Sequence, residues 1–299
     1  MLKPAGFLKT LLHALRCRVQ LAKVQLCLLI GCSTLFGYIL ADPLIKDVTL
    51  LCGFAIFVLA MGAASLNSLQ EYRLDSELLR TSNRPLPKGA LTPRQAGWQA
   101  LILCLAGLLL LFLSTRTIWP LSTAVLAVFL YNGLYTPLKQ KTVLAILPGA
   151  VCGALPPYIG WLSGGGEAFS YPALLLFALF VLWQIPHFWL VLLTFKDEYV
   201  GSSLPHFLQL FDEDTLKRLF ITWLGALVLI MMLFLGLPFS LGFLWRVLIV
   251  VNGCLLLGAF LYGLALGKSI NYRALFIILN VTLFVHMVVL ATGRINAVI

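Results

Sequence analysis

Charge is what this sequence lacks. Aspartate, glutamate, lysine and arginine make up 11% of its 299 residues against 61% hydrophobic ones, and the mean hydropathy of +0.99 excludes a soluble globule. Histidine is scarce, at four, and the seven cysteines lie scattered mainly through apolar runs. No C-x-x-C pair or Cys/His spacing is present, so neither a zinc site nor a disulfide framework is expected, and the cysteines read as small buried residues. The apolar runs are poor in ionisable groups and show no internal repeat of the transporter kind, which argues against an ion path. The first run is long and has no small-residue cleavage site, so no cleavable signal peptide is expected.

What is present is hydrophobic length. Runs at 21–41, 48–69, 96–115, 118–134, 144–163, 171–193, 219–237, 241–266 and 274–292 are each about 20 residues long, enough to cross a bilayer. They predict an all-α polytopic membrane protein of nine transmembrane helices. Residues 1–20, basic and acid-free, predict an amphipathic cytoplasmic helix on the inner surface, and 21–299 a single transmembrane domain. With the N-terminus inside, 17 of the 21 lysines and arginines fall on the cytoplasmic side, which puts the C-terminus outside. The net charge of +10 then reports topology and attraction to anionic membrane lipid, and is no evidence for nucleic acid.

Acids obey no such rule, so their placement says more. Eight of the eleven sit on two connections at the inner face: Glu71, Asp75 and Glu77 after the second run, and Asp197, Glu198, Asp212, Glu213 and Asp214 after the sixth. If the second helix continues inward, Asn67, Glu71 and Asp75 stack at i, i+4 and i+8 along roughly 12 Å of one face. An amide and two carboxylates are the hard oxygen donors that Mg2+ takes together with substrate phosphates. Arg80 and Arg84, ahead of the helix-stopping Pro85 and Pro87, offer guanidinium forks for phosphate oxygens. The plainer alternative is a solvated loop whose basic residues anchor the inner face.

Tyr135, Lys139 and Lys141 lie on the same side and add positive charge. In the fifth run, G-A-L-P-P-Y-I-G-W at 153–161 predicts a break or kink at its paired prolines. In the sixth, L-W-Q-I-P-H-F-W at 182–189 sets Gln184 and His187 within apolar surroundings, beside a carbonyl freed by Pro186. Such polar groups face a bundle interior, either as interhelical hydrogen bonders or as substrate contacts. His286, alone in the last run, reads as structural.

The order N-x-x-x-E-x-x-x-D, R-T-x-x-R-P-L-P, Y-T-x-L-K, G-A-L-P-P-x-I-G-W, L-W-Q-I-P-H-F-W and D-E-Y resembles the haem O synthase branch of the UbiA superfamily of intramembrane prenyltransferases, over roughly residues 14–210. The resemblance implies a nine-helix bundle around a central cavity opening to the inner face of a bacterial inner membrane. It implies farnesyl transfer from farnesyl diphosphate to a vinyl group of haem B. Carried over by residue, it makes Asn67, Glu71, Asp75 and Asp197 catalytic, and these with Glu198 the Mg2+ ligands. Arg80, Arg84, Lys139 and Tyr135 would bind the diphosphate, and Gln184, His187 and Tyr199 the acceptor. Haem A synthase or terminal oxidase assembly proteins would be the partners. The chain departs from the family in having Glu71 for the usual Asp, no acid at Leu74, and Gly201 four residues after Asp197. Two other readings therefore stay open: a prenyltransferase for another aromatic or quinone-precursor acceptor, and a non-catalytic haem-related oxidase assembly protein.

Overall fold

A computed structural model describes residues 4–298 apart from 116, 202–204, 238–240 and 267–269, and of residues 4–9, 199, 213, 265 and 266 it describes the backbone alone. The elements run α1 (Pro4–Leu21), α2 (Val24–Ala41), α3 (Asp47–Glu77), α4 (Pro93–Thr115) and α5 (Ile118–Val128). A π-helical turn, Phe129–Tyr135, leads from α5 into α6 (Thr136–Leu138). Then follow α7 (Ile146–Ser163), α8 (Tyr171–Thr194), the short α9 (Lys196–Val200), α10 (Glu213–Leu233), α11 (Phe243–Leu261) and α12 (Tyr272–Asn296). Among the described residues nine helical segments are long and apolar enough to cross a membrane, one at each run expected from hydropathy. No strand occurs among them. Helices satisfy every backbone polar group within the segment, which the bilayer core demands.

Leu26, Leu29, Ile102, Leu105, Leu109 and Phe112 point outward, as lipid-facing residues do. Inside, one cluster gathers Phe36, Trp161, Trp189, Phe220, Phe234 and Phe260, and a second gathers Tyr38, Cys52, Leu59, Leu111 and Ile159. Lipid tails are as apolar as these side chains, so helices in a bilayer associate through close packing. Between α2 and α7 the approach is backbone to backbone: a Cβ on Gly37 would overlap the Pro157 carbonyl oxygen, and one on Gly160 the Thr34 carbonyl oxygen.

That contact bears on the expected break in α7. The helix runs through Pro156 and Pro157 without interruption. The prolines remove two ladder bonds, but α2 is seated against the same turns and holds them in line.

Pro186 also lies inside a continuous helix, α8. The carbonyl four residues before it, Leu182, accepts a hydrogen bond from Trp223 Nε1 of α10 at 2.9 Å. Trp223→Phe is expected to destabilise the fold by about 1–3 kcal/mol, because it orphans that carbonyl. In a Pro186→Ala background, where the helix makes its own bond, the cost should shrink. Unfolding titrations of the four chains give the coupling, and strict additivity would contradict the assignment.

His286 is fully buried edge-on to Phe234, within the helical wall.

Candidate active site

At 31 residues α3 is about 46 Å long, well beyond the ~30 Å hydrocarbon core, so one end must project from it. No glycine or proline interrupts it between Gly62 and Glu77. Asn67, Glu71 and Asp75 share a face of that projecting end, at 1%, 4% and 5% exposure, which excludes the solvated loop for these three.

Each is met by a basic side chain from a different part of the chain. Lys23 Nζ donates to Asn67 Oδ1 at 2.7 Å. Lys139 Nζ stands 2.6 Å from Glu71 Oε1, an ion pair whose angle falls short of a hydrogen bond. Arg84 Nη1 donates to both Asp75 oxygens, at 2.8 and 2.7 Å. Three cations thus face two carboxylates and an amide. Beside the Asp75–Arg84 pair lies a cavity of about 10 Å3, lined by Lys23, Ser68, Asp75, Arg84 and the Pro85–Pro87 turn, room for about one water.

Two local structures deliver these cations. The elbow after α1 and the turn after Arg84 are pinned together by Cys17, Leu21, Leu86, Leu91 and Ala96. The π turn docks on α3 through amides: Gln70 Nε2 donates to Asn132 O at 2.9 Å, and Asn132 Nδ2 donates to Gln70 Oε1 at 3.1 Å and Ala63 O at 3.0 Å. Asn67 Nδ2 donates to Thr136 Oγ1 at 3.1 Å, and that hydroxyl donates to Tyr131 O at 2.8 Å. π turns recur at functional sites, and this one fixes Lys139 over Glu71. Burial first, then the neighbouring charges of Arg84 and Lys139, against the opposing pull of Glu71 and Asp75, bring the Lys23 ammonium down to about 8.

The other expected residues are placed as follows. Tyr135 stacks on Tyr131 at 5.8 Å and on Phe188 at 6.0 Å, with Lys139 Nζ 5.5 Å from its ring centre. Next to Phe188, the His187 ring contacts Trp183 at 4.5 Å and Phe276 at 4.9 Å. Gln184 packs on Gly153, where a Cβ would come 2.7 Å from its oxygen. An aromatic row therefore joins the polar residues of α8 to the acidic face of α3.

The second acidic region behaves differently from the expectation of one shared metal cage. Glu198 Oε2 lies 3.9 Å from Arg80 Nε, and Arg80 also covers the Phe195 ring at 4.9 Å. Asp197 is exposed. Arg80 thus draws Glu198 to itself, and among the described residues no three acid, histidine or cysteine side chains converge. The Tyr199 side chain lies outside the described residues. Sequence reading missed Lys23, Gln70, Asn132 and Thr136 as site residues; Asn132, an amide at the inner end of an apolar run, was the available signal. The donor chemistry fits a hard divalent ion: one amide oxygen and two carboxylates, buried on one helix face.

Comparison with known proteins adds the lineage. The model of the UbiA prenyltransferase family matches residues 30–281. A protoheme IX farnesyltransferase of Nitratidesulfovibrio vulgaris is 34% identical over 240 residues, 80% of this chain and 83% of that protein. One from Geobacter sulfurreducens is 40% identical over 188 residues, 62% of this chain and 68% of that one. Among solved structures, one from work on digeranylgeranylglyceryl phosphate synthase in membranes superposes with a TM-score of 0.75 at 18% identity, over 95% of this chain and 99% of that chain. A UbiA homolog from Archaeoglobus fulgidus bound to GPP and Mg2+ gives 0.65 at 18% identity, over 94% and 99%. With its spans, its acidic helix face and a family match over most of its length, the chain belongs to the UbiA prenyltransferase family.

Proposed function

We propose that this chain is a protoheme IX farnesyltransferase, moving the farnesyl group of farnesyl diphosphate onto a vinyl group of haem B to give haem O. The observation that carries the reading is the buried face of α3, where Lys23, Arg84 and Lys139 outnumber the carboxylates of Glu71 and Asp75. Such a surplus of positive charge, set over buried carboxylates with Arg84 and Lys139 still partly open to solvent, suits a diphosphate arriving with its own cation. The relatives named for this activity at 34% and 40% identity support the acceptor.

Asn67, Glu71 and Asp75 would hold Mg2+, with Asp197 and Glu198 approaching from α9. When bound, the ion neutralises charge on the leaving diphosphate. Arg84, Lys139 and Arg80 hold diphosphate oxygens through charge-assisted hydrogen bonds and stabilise the charge that develops there. The allylic C–O bond breaks with its electron pair leaving on pyrophosphate, and the vinyl π electrons form the new C–C bond. Water then adds to the cation left beside the porphyrin and gives up a proton, producing a hydroxyethylfarnesyl side chain. Tyr131, Tyr135 and Phe188 form a stacked row beside Lys139, and aromatic rings at this place would stabilise the allylic cation and shield it from water. Gln184, His187 and Tyr199 orient the acceptor.

On this reading residues 21–299 form one domain around a cavity open to the cytoplasmic face of a bacterial inner membrane, with the C-terminus outside. The α1 helix lies on the inner leaflet with Leu11, Leu12, Leu15 and Val19 in the lipid. Haem A synthase or terminal oxidase assembly proteins take the product. Offering purified protein farnesyl diphosphate and Mg2+ with haem B and an aromatic acid together tests the acceptor. Mass analysis should find farnesylated haem; unchanged haem beside a prenylated acid would contradict the proposal.

A further inference from the structure

Lys23 has no part in the motifs that define the acidic face, yet its ammonium is one of the three cations on it. It reaches Asn67 Oδ1 from the elbow between α1 and α2, 44 residues away in sequence. Its backbone is left-handed, at φ 50 and ψ 47, and it is the one non-glycine residue with positive φ among those described. Such a conformation is disfavoured for a side chain with a Cβ and persists where the surroundings impose it. Here the surroundings are the buried Leu21 and Ala22 and the cluster that ties α1 to the turn after Arg84. The elbow is bent so that this ammonium turns in toward α3.

Its partner is chemically odd. The two nearby carboxylates are engaged by Lys139 and Arg84, so the third cation rests on a neutral amide. That amide oxygen is the one the proposed function gives to Mg2+, and the ammonium stands 2.7 Å away. The oxygen has two lone pairs, but an ammonium this close sets a like charge beside any cation bound there, so Lys23 and a metal ion compete for it. Resting on that function, we propose that Lys23 is an exchangeable counter-ion of the diphosphate site: it keeps Asn67 oriented, yields the amide oxygen to the incoming cation, and then binds a diphosphate oxygen. The same side chain thus opposes the metal by itself and favours the metal–diphosphate pair.

That double role predicts changes of opposite sign, which a merely structural lysine would not give. Mn2+ binding to the full chain in lipid nanodiscs, read by electron paramagnetic resonance, supplies a readout independent of turnover. Lys23→Met should bind Mn2+ alone several-fold more tightly, and Mn2+ with farnesyl thiodiphosphate about tenfold more weakly, the loss of one charge-assisted bond. Lys23→Gln, which can still bond Asn67 and guards against a folding defect in the first variant, should show the same weakening with the thiodiphosphate. Lys23→Arg should restore it. If both affinities fall together, or neither moves, while the wild-type chain binds the thiodiphosphate, the Lys23 proposal is overturned alone. If the wild-type chain does not bind it, the diphosphate reading falls and takes this proposal with it.

Discussion

Asp75→Asn is expected to lower farnesyl transfer by about 10²- to 10³-fold, the range seen when one preorganised charge-stabilising group is removed from an active site. The substitution keeps the shape of the side chain and leaves an oxygen for Arg84 to bond, so α3 and the following turn should stay in place. What disappears is the negative charge. Asp75 is 5% exposed and takes both contacts from Arg84 Nη1, so little water is at hand to replace it. The donor set for a divalent ion drops from two carboxylates to one, and Arg84 loses its counter-ion. The loss should appear in kcat, in protein that still elutes as a single folded species. Transfer at the wild-type rate would remove α3 from the chemistry.

The second large effect is on folding. Gly160→Ala would gain about 1 kcal/mol of helix propensity in isolation. In the fold the added Cβ overlaps the Thr34 carbonyl oxygen and stands 2.9 Å from Tyr38 N, both backbone atoms of α2. A crowded side chain can rotate away, but a helix backbone has to move as a unit. Overpacking usually costs about 1–3 kcal/mol, and a backbone clash belongs at or above the top of that range, so the clash outweighs the propensity gain. Gly37→Ala presses the same seam from the other side, against Pro157. Either variant should give little folded protein in mild detergent. The double variant should cost less than the two singles summed, because helices already parted have less left to lose. A wild-type melting temperature for Gly160→Ala would show that the seam is looser than described.

The nine spans were legible in the sequence because length and hydropathy alone decide them. The acidic face was legible too: no helix breaker stands between Asn67 and Glu77, so the i, i+4, i+8 spacing had to become one side of a helix. What stayed hidden depends on contacts between residues far apart in the chain. A count of basic residues makes Lys23 one more inner-face anchor, and nothing local shows that its backbone turns left-handed and sends the ammonium to Asn67. The Gln70–Asn132 pair spans 62 residues, and the π turn that allows it carries no motif. Pro156 and Pro157 argued locally for a break in α7, and the α2 contact outweighed them. Asp197 and Glu198 were grouped with the first acids by the family pattern, whereas Glu198, on α9, faces Arg80 at 3.9 Å.

The claim at the centre of this account is that the buried face of α3 activates a prenyl diphosphate for transfer to haem. Purified protein incubated with farnesyl diphosphate and haem B, with Mg2+ or with a chelator, and analysed for farnesylated haem, tests it most directly. The account predicts product with Mg2+, none with the chelator, and a matching loss in Asp75→Asn. Product that forms equally well with the chelator, or in Asp75→Asn, would contradict it.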